Sequence, residues 1–257
     1  MTSSSSSFAE RLRSGGSALG YWVVIDSPVS TERLALTGYD YVALDGQHGL
    51  LGYSGLLAGL IAIEAAHGPA GVVRVEANNA TPIGRALDAG AAAVIVPLVN
   101  TPEDAAAAVA ATRYPPAGIR SYGPMRSGLR IGPTPAEADR SVLVFAMIET
   151  PQGLANVEAI AAVPGLDGLY VGPSDLTLAL GGTTSTDTSV ASAFDDALAR
   201  VLDACATNGI IPGIHSASGD IARERLDAGF RFVSIASDLT HLEAAARSHL
   251  SVARGGA

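Results

Sequence analysis

An apolar run of strand length follows a glycine again and again along this chain. Gly38 precedes YDYVALD, Gly68 precedes PAGVVRV, Gly90 precedes AAAVIVPLV, Gly209 precedes IIPGIH and Gly229 precedes FRFVSI. A helical pattern ends at each of these glycines, and glycine tolerates the left-handed position beyond a helix C-terminus. The runs ALGYWVVI, VLVFAMIE and LDGLYVG bring the strand count to eight. Strands that are apolar throughout are buried on both faces, as in a parallel sheet covered by helices. Thr81-Pro82, Thr101-Pro102, Thr134-Pro135 and Thr150-Pro151 each offer an N-cap hydroxyl before a proline at a first helical position. Eight strands alternating with helices predict an α/β fold, a (β/α)8 TIM barrel, with an open doubly wound sheet as the alternative.

The length, 257 residues, suits one such barrel. Residues 8–257 are expected to form it, behind a disordered serine-rich tail at residues 1–7. That tail lacks the basic and apolar regions of a secretion signal, and no apolar run is long enough to span a bilayer, so a cytoplasmic protein without membrane contact is expected. The net charge of −9 leaves no basic stripe for a phosphate backbone, which argues against nucleic acid as a partner. All 16 basic residues are arginine. Without lysine the chain has no Schiff-base lysine and no lysine to anchor pyridoxal phosphate. The lone cysteine, Cys205, falls in a helical pattern and is expected to pack in the core.

Polar residues where the apolar strands stop are the candidates for chemistry. Asp45-Gly46-Gln47-His48 follows YVAL, Arg74 follows GVV and Glu149 follows VFAMI. Gly172-Pro173-Ser174-Asp175 follows LYV, and His215 follows PGI. In a closed barrel all of them converge on one mouth. Glu149 and Asp175, on consecutive strand ends, are able to share a hard divalent cation, although each also suits the start of a helix. Arg74 interrupts a buried strand, so it faces a cavity or pairs with Glu76 or another barrel carboxylate. His48 is either a loop histidine or a proton carrier, histidine being the side chain that ordinarily titrates near neutrality. The long loop RYPPAGIRSYGPMRSGLRIGP is expected on the catalytic face.

The segments LDGQHG, VVRVEANN, RALDAGAAAVIVPLV, RYPPAGIRSYG, IETPQGL and GLYVGPSDL together resemble the HpcH/HpaI aldolases, in order and over about residues 8–247. That resemblance implies a barrel of the phosphoenolpyruvate/pyruvate superfamily type and a homohexamer built as a trimer of dimers, with the C-terminal helix exchanged between subunits. It implies a lyase that cleaves a 4-hydroxy-2-oxo acid to pyruvate and an aldehyde with a divalent metal cation, Mg²⁺, Mn²⁺ or Co²⁺. By position, the metal carboxylates fall on Glu149 and Asp175, the pyruvate-binding arginine on Arg74, the proton-handling histidine on His48 and its orienting aspartate on Asp88. Backbone amides around Gly172, Pro173 and Ser174 would take the oxo-acid carboxylate. Asp45 is assigned a supporting role, and Gln47 and His215 are placed in the substrate pocket. Gln47, Ser121 and His215 depart from the family pattern and point to an altered aldehyde preference. An acyl-CoA lyase of the citrate-lyase type and a non-catalytic metabolite-binding barrel are the alternatives.

Overall fold

The computed structural model describes residues 4–129, 131 and 134–256, and within these not the side chains of residues 4–6. Eight parallel strands close a barrel in sequence order: β1 (Ala18–Val23), β2 (Tyr41–Asp45), β3 (Ala70–Arg74), β4 (Ala93–Val96), β5 (Leu143–Ile148), β6 (Gly168–Val171), β7 (Ile211–Ser216) and β8 (Phe232–Ser237), with β8 returning to β1. The closed barrel thus replaces the open-sheet alternative. Around it run α1 (Ser4–Arg13), α2 (Pro28–Ala35), α3 (Tyr53–Ala65), α4 (Ala80–Asp88), α5 (Pro102–Thr112) and α6 (Pro135–Ser141). The ring is completed by α7 (Pro151–Ala155), α8 (Val157–Ala161), α9 (Pro173–Ala179), α10 (Ala191–Asn208), α11 (Gly219–Asp227) and α12 (Asp238–Ala253). Of the expected tail, residues 1–3 lie outside the described residues and Ser4–Ser7 belong to α1. Among the described residues no helix is long and apolar enough to cross a membrane.

Three of the four expected threonine caps are in place. Thr101 and Thr134 close capping boxes with Asp104 and Glu137, and the Thr150 hydroxyl accepts from the Gly153 N–H. At α4 the cap is Asn79 instead, and Thr81 donates its N–H to the Asn79 side chain. Asparagine reaches the free N–H groups as well as threonine does and stands two residues earlier. Before β3 the left-handed residue is His67, with φ 55°, and not Gly68. Cys205 is buried in α10 as expected, and burial raises its thiol pKa to about 12.

Inward-facing side chains recur every second residue along the strands. At the floor, Phe232 stacks on Tyr41 and Phe145 with centroids 4.3 and 4.4 Å apart. A Cβ at Gly20 would lie 2.0 Å from the Tyr41 ring, so β1 must carry glycine opposite this stack. One step up, Trp22 stacks on Tyr170, and Ser234 lies beneath the mouth. The next inward step carries Asp45, Arg74, Glu149 and His215. Register fixes their order, since Asp45 pairs with Arg74 across β2 and β3, and His215 with Ser234 across β7 and β8.

One expectation is overturned. The long loop after α5 does not lie at the catalytic face. A segment that follows a helix and leads to the next strand lies at the N-terminal end of the barrel. There the Arg126 guanidinium donates to the Ala89 carbonyl beyond α4, and the Tyr114 N–H to Asp139 of α6. The loop exposes Ile119, Tyr122, Met125 and Leu129 on that face.

Candidate active site

The mouth is organised around a buried ion pair. Asp45, the last residue of β2, is 1% exposed and Arg74, the last of β3, is 7% exposed. Arg74 donates from Nε to Asp45 Oδ1 at 2.9 Å and from Nη2 to Oδ2 at 2.5 Å, the bidentate geometry that suits a guanidinium. The ion-pair alternative for Arg74 is therefore realised, with Asp45 in place of Glu76. Asp45 also accepts the N–H groups of Gln47 and His48 at 3.0 and 3.1 Å and Trp22 Nε1 at 3.2 Å. This carboxylate fixes the turn that carries His48. Burial alone would raise its pKa, but the Arg74 hydrogen bonds and charge, the His48 N–H and Trp22 outweigh burial and hold it below the ordinary value.

A cavity of about 210 Å³ opens above the pair. His48, Arg74, Asp175 and His215 reach it from four strand ends, with Trp22 and Tyr170 beneath and Gly172, Pro173 and Ser174 along one wall. Gln47, placed by resemblance in the substrate pocket, is not among the residues lining this cavity, and its Oε1 is buried without a hydrogen-bond partner among the described residues.

Glu149 lies just behind the wall made by Met147 and Gly172. A Cβ at Gly172 would stand 2.5 Å from Met147 Cε and 3.0 Å from Glu149 Oε2, so glycine is required for the carboxylate to sit there. Glu149 is 3% exposed, and its Oε1 accepts the Leu98 N–H at 2.7 Å. Leu98 holds that N–H in place at φ 55°, a strained conformation for a branched residue. Burial raises the Glu149 pKa; the Leu98 N–H opposes it, and the charge of Asp175 adds to the rise. Among the described residues neither Glu149 nor Asp175 has an ion-pair partner. Arg74 acts on Glu149 through its charge but is hydrogen-bonded to Asp45, so a buried carboxylate beside an open one is left to fit a hard divalent ion. Among the described residues no group of three His, Cys, Asp or Glu side chains could hold a metal, so such an ion would rely on substrate and water oxygens for its remaining ligands.

Asp88 is absent from this group. As the last residue of α4 it lies at the N-terminal end of the barrel, opposite the mouth, where it accepts Arg120 Nη2 at 2.8 Å. The side chain of Arg120 is 1% exposed, and the half-buried Asp88 anchors it. An Asp88–His48 contact within one chain is thereby excluded. Conversely, the strand readings overlooked Trp22, Tyr170, Ser234 and Met147, which support the mouth from one step below. Only Ser234, a hydroxyl inside the apolar run FVSIAS, carried a sequence signal.

A relative from Rhizorhabdus wittichii, a hydroxypyruvate/pyruvate aldolase, is 40% identical over 93% of this chain and 95% of its own. A 4-hydroxy-2-oxovalerate aldolase of Novosphingobium aromaticivorans is 40% identical over 89% of this chain and 87% of its own. The crystal structure of an HpcH/HpaI aldolase/citrate lyase family protein from Burkholderia cenocepacia superposes with a TM-score of 0.86 at 35% identity, covering 97% of this chain and 99% of that one. The HpcH/HpaI aldolase/citrate lyase family model matches residues 18–245, and the chain belongs to that family.

Proposed function

We propose that this protein is a carbon–carbon lyase that cleaves a 4-hydroxy-2-oxo acid into pyruvate, or a close 2-oxo acid, and an aldehyde. The observation that carries the reading is the pair Glu149 and Asp175, neither held in an ion pair among the described residues, at the same mouth as Arg74 and His48. The aldolase names of the relatives support it. A divalent cation at the two carboxylates, Mg²⁺, Mn²⁺ or Co²⁺, supplies a Lewis acid that favours the enolate of a 2-oxo acid. Without lysine the chain has no side-chain amine with which to form an imine in its place.

The protein's own residues divide the remaining work. Arg74, held flat by Asp45, stabilises the negative charge that develops on the oxo acid when its C3–C4 bond breaks. The turn at Gly172, Pro173 and Ser174 offers backbone N–H groups, those of Ser174 and Asp175, to the substrate carboxylate. His48 takes the proton of the 4-hydroxyl as the aldehyde carbonyl forms. Asp45 acts on the reaction only through Arg74, Trp22 and the His48 turn. The product enolate is finally protonated at C3 to give pyruvate.

A second copy of the chain completes this reading. Because Asp88 and His48 lie at opposite ends of one barrel, a pair between them requires the N-terminal face of one subunit to meet the mouth of another. The exposed Ile119, Tyr122, Met125 and Leu129 surround Asp88's end of the barrel and favour such burial. Beyond its first turn α12 is exposed throughout, including Leu242, Leu250 and Val252, as expected of a helix that docks on a neighbour. Pyruvate release by EDTA-stripped protein, with and without each cation, on oxaloacetate and a panel of 4-hydroxy-2-oxo acids tests the proposal. Metal-dependent release supports it. Folded protein inert with every cation would leave the acyl-CoA lyase or the binding barrel.

A further inference from the structure

The hydrogen bonds beneath His215 determine which of its ring nitrogens carries the proton. Tyr170 is fully buried, and among the described residues its hydroxyl has one partner, Ser234 Oγ at 2.5 Å. An unmet buried donor is costly, which favours donation from Tyr170 to Ser234. Ser234, itself fully buried, also faces the Tyr41 hydroxyl, but His215 Nδ1 at 2.8 Å is the acceptor within hydrogen-bond geometry and takes its single proton. Nδ1 is therefore the acceptor, and the neutral ring carries its hydrogen on Nε2. Among the described residues Nε2 has no hydrogen-bond partner, and the ring lines the cavity. Trp22 meets it edge-on at 5.3 Å and limits its rotation.

We infer that His215 is a specificity-determining residue, an uncharged Nε2–H donor that selects aldehydes bearing an acceptor oxygen next to the carbonyl. The inference rests on the aldolase reading above. In that reading Arg74, Glu149 and Asp175 engage the oxo-acid end from β3, β5 and β6, and the walls on β1 and β7, Trp22 and His215, are left to the aldehyde fragment. Neutrality is reinforced by the surroundings: burial, then the charge of Arg74, lower the His215 pKa to about 4, against a smaller opposing effect of Asp45. A neutral donor takes hydroxyl and carbonyl oxygens without demanding an anion, and it leaves an alkyl chain with an unmet hydrogen bond. Ser234 and Tyr170 are positioning residues that hold the tautomer.

Glycolaldehyde and propanal have the same number of heavy atoms and differ in a hydroxyl against a methyl group. The decisive quantity is the ratio of their kcat/KM values as acceptors for pyruvate with Mn²⁺. The wild type should favour glycolaldehyde. His215→Leu should lower the ratio about three- to tenfold, the worth of one neutral hydrogen bond, and His215→Gln, which keeps an N–H donor, should restore part of it. Nitrogen-15 NMR of the histidine-labelled protein should show Nδ1 bare and Nε2 protonated near neutral pH, and Ser234→Ala should mix the two tautomers. A protonated Nδ1 in the wild type, or a ratio unchanged by His215→Leu, overturns the inference. Failure of the wild type to release pyruvate from oxaloacetate instead overturns the aldolase reading beneath it.

Discussion

Replacing Asp45 by asparagine isolates the electrostatic frame of the mouth. The carboxylate accepts two hydrogen bonds from Arg74 and one each from Trp22, Gln47 and His48. Asparagine keeps the shape and one acceptor oxygen, but it turns an NH₂ group toward donors and strands the Arg74 guanidinium, whose side chain is 9% exposed. Removing one partner of a buried ion pair costs ~3–5 kcal/mol. Two features lower that figure here. Arg74 borders the cavity of about 210 Å³, which is wide enough for water to reach its free face. The amide oxygen also retains part of the hydrogen bonding.

A loss of about 2–3 kcal/mol is therefore expected, against total stabilities of ~5–15 kcal/mol, so the variant still folds. The single tryptophan is Trp22, one of the five contacts of Asp45, and its fluorescence reports unfolding from within the site. In urea the midpoint should fall while the slope stays unchanged. Adding Arg74→Met should recover much of the loss, because the cost lies in the stranded charge. A loss for Asp45→Asn no larger than the ~0.5 kcal/mol of an ordinary surface substitution, or a double variant no more stable than the single one, would refute the reasoning.

Glu149→Gln should raise the melting temperature of metal-free protein. A carboxyl whose pKa is raised by burial and by Asp175 weakens the fold when ionised near neutral pH. Scanning calorimetry should show a rise of about 2–4 °C for each kcal/mol relieved, together with loss of the upward shift that Mn²⁺ gives the wild type. The contribution of Asp45 runs the other way with pH, because its folded pKa is depressed. The stability gap between wild type and Asp45→Asn should be full above the ordinary value of 3.8 and close as the pH falls through the folded pKa, as urea midpoints measured down the acid range would reveal. Mixing His48→Ala with Asp88→Asn protein should restore turnover that neither shows alone, since hybrid assemblies would contain sites with both native groups. Unchanged inactivity of a mixture shown to exchange subunits would confine Asp88 to anchoring Arg120.

Strand-end residues were legible for a geometric reason. Asp45, Arg74, Glu149 and His215 each stand on the inward side of a strand at its C-terminal limit, so a polar residue ending an apolar run marks the mouth. The residues one step below left almost no trace, because Trp22, Tyr170 and Met147 look like any apolar strand residue. Asp88 was found by resemblance alone, and similarity carries a residue's role without saying which subunit's mouth it serves. The loop at residues 113–133 was misplaced in its described part: its length suggested function, but its place after α5 dictates the opposite face. At Asn79 and His67 the local rule held with a different residue, since asparagine caps a helix and histidine enters the left-handed region at modest cost.

The stack of Tyr41, Phe232 and Phe145 seals the barrel from below, which leaves a single doorway. Traffic through one doorway is sequential. On the proposed reading the oxo acid, drawn to Arg74 and toward Glu149 behind the cavity wall, must enter before any aldehyde approaches His215 and Trp22, and it must leave after that aldehyde has gone. Cleavage therefore releases the aldehyde first and the pyruvate last, and in the reverse direction an aldehyde that arrives early finds nothing to react with and leaves by the way it came. Three aromatic rings at the far end of the barrel thus set the order of events at its mouth.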